Sequence, residues 1–349
     1  MIWLTWRQFR AQAIVAAAAL AVIAVALAVT GVHLANLYDS AGVGACHGHG
    51  DCGTVASNFL TQVKASLTDK TLYDGSAVLL YAVPVLIGVF WGAPLITREI
   101  EAGTFRLAWN QSVTRTRWLA AKLGLVGLAA MATAGLLSFM IGWWASPIDH
   151  AFGLPQGRNG SGGINRFAPL LFGVRGITPV GYAAFAFVLG VTIGVLIRRT
   201  VPAMAVTLAV FTGVLVTMTL WVRPHLIAPL HMVSAFNTAN LDQLTTGPSP
   251  GSPMTVAATV NLPDAWILSN QSITPSGHVF TGPAPRVCFS GTIQACTAYV
   301  GRLHLRQLVT YQPASRYWAF QWYETAIFLA LALALAGACF WWIRRRRLA

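Results

Sequence analysis

Residues 98–122 read REIEAGTFRLAWNQSVTRTRWLAAK. This polar stretch lies between two long apolar runs. Around it, six segments are apolar over about 20 residues each: 11–34, 77–97, 123–147, 177–197, 200–222 and 325–343. That is the length of helix needed to cross the hydrocarbon of a bilayer. The composition agrees. Of 349 residues, 56% are hydrophobic and 9% charged, against roughly 25% charged in a soluble domain. So little charge cannot clothe a water-facing surface. The fold expected is an all-α polytopic membrane protein with six transmembrane helices.

An even number of spans puts both termini on one side, and the charges say which. With the termini inside, the inner segments hold 13 Lys and Arg against Glu99 and Glu101. The outer segments hold 10 against eight acids, spread over far more sequence. Basic density collects on the cytoplasmic side of membrane proteins, so both termini and residues 98–122 are expected to be cytoplasmic. The same rule accounts for the net charge of +13 better than nucleic acid does. No basic patch with interleaved stacking aromatics accompanies it.

The chain divides accordingly. Residues 1–10, MIWLTWRQFR, read as an interfacial N-terminal helix, its Trp and Phe toward lipid and its Arg toward phosphates. Residues 11–222 hold helices one to five. Residues 36–76 form a polar outer segment containing CHGHGDC (46–52). Residues 223–324 form a large extracellular loop. Within it, TTGPSPGSP (245–253) is turn-rich, and MTVAATVNL and SGHVFTG alternate weakly enough for short strands. The prolines and asparagines of 224–241 argue against a seventh span, leaving a re-entrant or interfacial segment open. Residues 325–349 carry helix six and the basic run Arg344–Arg347.

Several chemistries find no support. The chain has no G-x-x-x-x-G-K-[ST], so no P-loop, and neither H-E-x-x-H nor G-x-S-x-G. The spans are almost free of ionisable groups, whereas proton- or sodium-coupled pathways need carboxylates at membrane depth. Glu324, at the outer mouth of helix six, reads as an interfacial acid paired with Arg316, or with it as an outer gate. Cys46, His47, His49, Asp51 and Cys52 are too tightly spaced for a usual zinc site, so no metal is assigned. Cys46, Cys52, Cys288 and Cys296 all fall in outer segments, where disulfides persist. Local bridges Cys46–Cys52 and Cys288–Cys296 are the simplest reading, though four cysteines allow three pairings. Gly190 and Gly194 form a G-x-x-x-G that permits close helix packing.

Within 98–122, Gly103 is a natural helix stop and Thr114 a natural cap for helix three. Between them lie Phe105, Leu107 and Trp109. The pattern is helix, break, short amphipathic helix, break, helix: a handle through which a soluble protein moves the bundle.

This stretch resembles the segment after the second span of ABC-2-type transporter permeases, which has an acid-rich helix end, Gly-Thr and a Thr-Arg-x-Arg-Trp run. WLTWRQFR (3–10) and YQPASRYWAFQWYE with WWIRRRR (311–324, 341–347) also resemble a bacterial subgroup of those permeases. The resemblance implies the membrane subunit of an ATP-driven exporter in the bacterial plasma membrane. Its coupling segment, 98–118, would dock on a separate ATP-binding subunit through Arg98, Glu99, Glu101, Gly103, Thr104, Arg106, Arg115 and Arg117. ATP and Mg would then belong to that partner, with no cofactor in this chain. The resemblance also implies a second permease copy or paralogue and an outer-loop disulfide matching Cys288 and Cys296; membrane lipid is a further partner, read from the Arg344–Arg347 run as an anchor on anionic headgroups. Two alternatives are a membrane-anchored binding or scaffold protein with an extracellular recognition loop, and an ion-coupled secondary transporter.

Overall fold

The computed structural model describes residues 2–46, 52–103, 114–154, 166–238, 241–260, 262 and 264–345. Among these, six helices are long and apolar enough to cross a membrane. They are α1 (Ile2–Ser40), α3 (Leu67–Glu101), α4 (Arg115–Gly153), α6 (Thr178–Ile197), α7 (Thr200–His225) and α10 (Tyr317–Arg345). The tryptophan-rich N-terminal segment is continuous with the first of them.

The centre of the bundle is α6. The most apolar stretch of α6 is 72% buried, against 6% for that of α1, so α6 is wrapped by protein and α1 lies at the outside of the bundle. Small residues make this possible. Pro84 interrupts the backbone ladder of α3, and from Ile87 to Gly92 the helix widens into a π turn. Gly88 and Gly92 in that turn meet Ala186, Phe187 and Gly190 of α6, and Gly194 meets Ala93 just beyond the turn. A methyl group on Gly88 would stand 2.7 Å from the Ala186 carbonyl, and one on Gly194 2.8 Å from that of Ala93. Two G-x-x-x-G faces thus pack backbone on backbone. The sequence singled out only one of them.

Both ends of the described chain lie at one end of the bundle. Phe9 of α1 and Ile343 of α10 share a buried cluster with Ile96, Trp118 and Val195. We call this end proximal. The sharp turn at Arg198–Arg199 lies here too: Arg198 adopts a left-handed conformation (φ 59°) and its N–H bonds back to Gly194. At the distal end, α2 (Cys52–Ala65) buries Phe59, Leu60 and Val63 against α1 and α4. Much of the polar 36–76 segment is therefore helical. Ser66 caps the start of α3 by accepting from Asp69 N.

The distal end also carries the strands. β1 (Leu230–Ala235), β5 (Arg306–Gln312) and β4 (Trp266–Ile273) form an antiparallel sheet in the order β1-β5-β4. β2 (Leu241–Thr246) and β3 (Met254–Ala258) form a hairpin whose turn lies in the Gly/Pro-rich stretch. Within the stretch left open as re-entrant, Leu230–Ala235 form strand β1. Of the two weakly alternating stretches, the first supplies β3 and the second an isolated bridge at Val279. Helices α8 (Val287–Ser290) and α9 (Ile293–Arg302) cover the hairpin side, and Cys288 and Cys296 on them stand at disulfide distance. An aromatic cluster of Phe167, Phe172, Trp266, Tyr317 and Phe320 joins this region to the bundle. It includes the short helix α5 (Pro169–Phe172).

Candidate functional site

The last turn of α3 carries two acids, and each leaves its own helix to hold another. Glu99 Oε1 accepts from Gln8 Nε2 of α1 at 3.0 Å and from Lys122 Nζ of α4. Lys122 is 2% exposed, and its ammonium lies 4.8 Å from the centre of the buried Trp118 ring. A cation this deep needs a paired acid, since an unpaired buried charge costs several kcal/mol. Glu101 turns the other way. Its carboxylate accepts from Thr200 N (2.8 Å) and Thr200 Oγ1 (2.7 Å), at the first residue of α7. The first N–H groups of a helix have no partner within it, and a negative charge there is favourable. Thr200 Oγ1 also bonds Thr97 Oγ1 at 2.9 Å.

The tip of α3 therefore ties together α1, α4 and α7. Beyond it, Gly103 adopts a left-handed conformation (φ 69°) and its N–H bonds to the Ile100 carbonyl, ending the helix. Thr114 opens α4 by accepting from Arg117 N at 3.4 Å. Among the residues assigned to coupling, Arg98 and Arg117 are exposed at this end. Thr104, Arg106 and the side chain of Arg115 lie outside what is described. Sequence reasoning missed Gln8, Thr97, Lys122 and Thr200. One signal was available for Lys122, one of only three lysines among 23 basic residues.

The distal site differs from expectation. Glu324 does not pair with Arg316. Arg316 Nη1 donates to the Ala228 carbonyl and to Gln312 Oε1, both at 2.8 Å, and so ties β5 to the start of α10. Glu324 is instead fully buried against an equally buried Arg223. Arg223 Nε donates to Oε2 at 2.8 Å and Nη2 to Oε1 at 2.9 Å, a two-point fork. Tyr182 of α6 donates its hydroxyl to Oε1 as well. The guanidinium also donates to the Pro169 carbonyl at 2.9 Å and lies 4.5 Å from the centre of the Phe172 ring. The spans are thus not free of ionisable groups: α7 continues past the apolar run through a π turn and carries Arg223 inside.

A further polar layer lies beside the aromatic joint. Arg175 Nε donates to Asp149 Oδ2 at 3.0 Å, and Tyr73 donates to Asp149 Oδ1 at 3.2 Å. Arg166 approaches Asp264 at 3.5 Å, and burial raises the Asp264 carboxyl above its ordinary range against the lowering pull of Arg166. Cys46 ends a short 3-10 turn and Cys52 is buried at the start of α2. The residues between them lie outside the description, as do the His and Asp of CHGHGDC. Among the described residues, no group of three or more His, Cys, Asp or Glu is placed to hold a metal.

A family model described as ABC-2 membrane transporter related matches residues 17–223. The chain belongs to this family. The match begins within α1 and ends at Arg223 of α7, so it takes in the whole tip of α3 and its partners on α4 and α7. The family points to a transporter permease that works with an ATP-binding subunit. The strands and α10 lie beyond the match. No curated protein and no solved structure matches the chain.

Proposed function

We propose that this chain is the membrane-spanning permease subunit of an ATP-driven exporter. A separate ATP-binding subunit docks on the segment between Gly103 and Thr114. The tip of α3 carries the resulting displacement into α1, α4 and α7. The observation that carries this reading is that Glu99 and Glu101 reach three neighbouring helices from one turn. A load applied just past Gly103 moves several helices at once rather than bending one. Family membership supports the same reading. The proximal end, with Arg98, Arg117, Arg198 and Arg199 exposed or half-buried there, faces the cytoplasm of a bacterial cell. The working unit contains two permease chains, and the strands form an external cap.

Glu324 belongs to a distal latch rather than a pair with Arg316. It holds α10 to α6 and α7, and its release accompanies opening on the outer side. ATP binding favours one arrangement only by the difference in its interactions with the two.

Co-purification and turnover test the reading. The chain, co-expressed with its cognate ATP-binding subunit and reconstituted, is expected to hold that subunit through purification and to stimulate its ATPase. An ATPase that neither associates nor responds would overturn it. Transport that persists without ATP and collapses with a protonophore would favour ion coupling instead.

A further inference from the structure

The seam between α1 and α3 forms a half-open cleft of about 190 Å³ at the proximal end. A water occupies about 30 Å³ in the liquid, so this space holds a group several times larger. One wall is apolar, with Phe9, Trp91 and Leu95. The other carries Gln8, Gln12, Arg98 and the Glu99–Lys122 pair. Lys122 is balanced by Glu99, which leaves Arg98 as the net positive charge of the lining. Arg7 and Arg10 are exposed on the adjoining turns of α1. Trp3 and Trp6 are also exposed there, and tryptophans of this kind sit at headgroup level.

The same helices frame a second cavity farther along. It is almost wholly apolar and lined by Ile23, Leu27, Leu72, Leu79 and Ile141. From Gln12 to Ile23 the rise along α1 is about 16 Å at 1.5 Å per residue, roughly half of a 30 Å hydrocarbon core. A polar, net-positive chamber at the interface thus stands about one acyl chain's length from an apolar one. We propose that this seam binds one anionic phospholipid. Its phosphate sits against Arg98, Gln8 and Gln12, and an acyl chain follows α1 toward Ile23. Glu99 and Lys122 line the chamber, so the lipid borders the junction of α1, α3 and α4. The inference does not depend on ATP coupling.

The test uses the full chain in vesicles of phosphatidylglycerol and phosphatidylcholine in equal parts. Bound lipid is counted by native mass spectrometry after detergent extraction. Retention of one phosphatidylglycerol in preference to phosphatidylcholine is expected. Arg98→Gln is expected to lower it about fivefold, the effect of one basic residue near an anionic headgroup. Leu95→Trp, which fills the chamber without removing charge, is expected to do the same. Arg344→Gln, on the basic run of α10, leaves it unchanged. Thermal unfolding in phosphatidylcholine alone shows that each variant folds; should Leu95→Trp not fold, the comparison of Arg98→Gln with Arg344→Gln decides. Equal retention of the two lipids would overturn the proposal. So would equal losses in the two arginine variants, which mean diffuse surface attraction, or displacement of the lipid by inorganic phosphate, which means a site for a free anion.

Discussion

Glu324→Leu removes the carboxylate from a site where the opposing guanidinium has no exposure to solvent. Breaking a buried ion pair from one side costs about 3–5 kcal/mol, because the remaining charge stays buried. Arg223 keeps the Pro169 carbonyl and the face of Phe172, which places the loss near the lower bound, about 3 kcal/mol. Arg223→Met leaves the carboxylate with Tyr182 alone and is expected to cost about the same. The double variant replaces the pair with apolar groups of similar volume, a change that is often neutral or stabilising. It is therefore expected to lie within about 1 kcal/mol of the wild type. The two single losses would sum to about 6 kcal/mol, so the coupling energy is about 5–7 kcal/mol. Reversible unfolding in detergent micelles, with all four proteins compared, measures it. Had Glu324 paired with Arg316 at the rim, each single change would cost about 0.2–1 kcal/mol, as exposed pairs do. Single losses under 1 kcal/mol, or a double variant as unstable as the sum, would refute the buried pair.

Gly190→Ala is expected to destabilise the bundle by about 1–3 kcal/mol, since the new methyl meets backbone of the π turn. Gly124→Ala and Gly337→Ala have open space and are expected to be neutral or stabilising by up to about 1 kcal/mol; equal thermal shifts for all three would contradict the packing described. Asp264 titrates above its unfolded value because it is buried. The native state therefore holds that proton longer, and stability falls as pH rises through the window between the ordinary Asp value and the raised one. Asp264→Asn should remove that fall from melting curves taken across mildly acid pH; a variant with the wild-type pH profile would show that Asp264 does not titrate this way. Cys46 and Cys52 are proposed to be bridged, and non-reducing peptide mass spectrometry of the segment between α1 and α3 should recover them joined. Two alkylatable thiols would instead reopen metal binding at CHGHGDC.

The six spans were legible because an apolar run of about 20 residues has one stable solution in lipid. The breaks at Gly103 and Thr114 were legible because each is local: a left-handed glycine and a side-chain cap act within a turn. The partners were not. Glu101 meets Thr200 across 99 residues, and Glu324 meets Arg223 across 101. Arg223 follows an apolar run, and by hydropathy alone such an arginine marks the start of a loop. Only the three-dimensional meeting with Glu324 and Tyr182 shows that it is inside. The proximal pair is similar. Glu99 and Lys122 both lie in the opening stretch, yet they belong to different helices, and nothing in their spacing says that one neutralises the other. The strands alternate weakly because only part of the sheet is buried, so the period of two is diluted along β1 and β4.

The central claim is that the tip of α3 transmits force through its two acids. Its most direct test is the stimulated ATPase rate of Glu99→Gln/Glu101→Gln, measured per assembled complex with the cognate ATP-binding subunit. Glu99, held by the buried Lys122, loses charged hydrogen bonds worth about 1.5–3 kcal/mol, and Glu101 loses its charge at the first residue of α7. We expect the complex to assemble at the wild-type ratio while stimulation falls at least about tenfold. A fully assembled variant that stimulates ATPase as the wild type does would contradict the account.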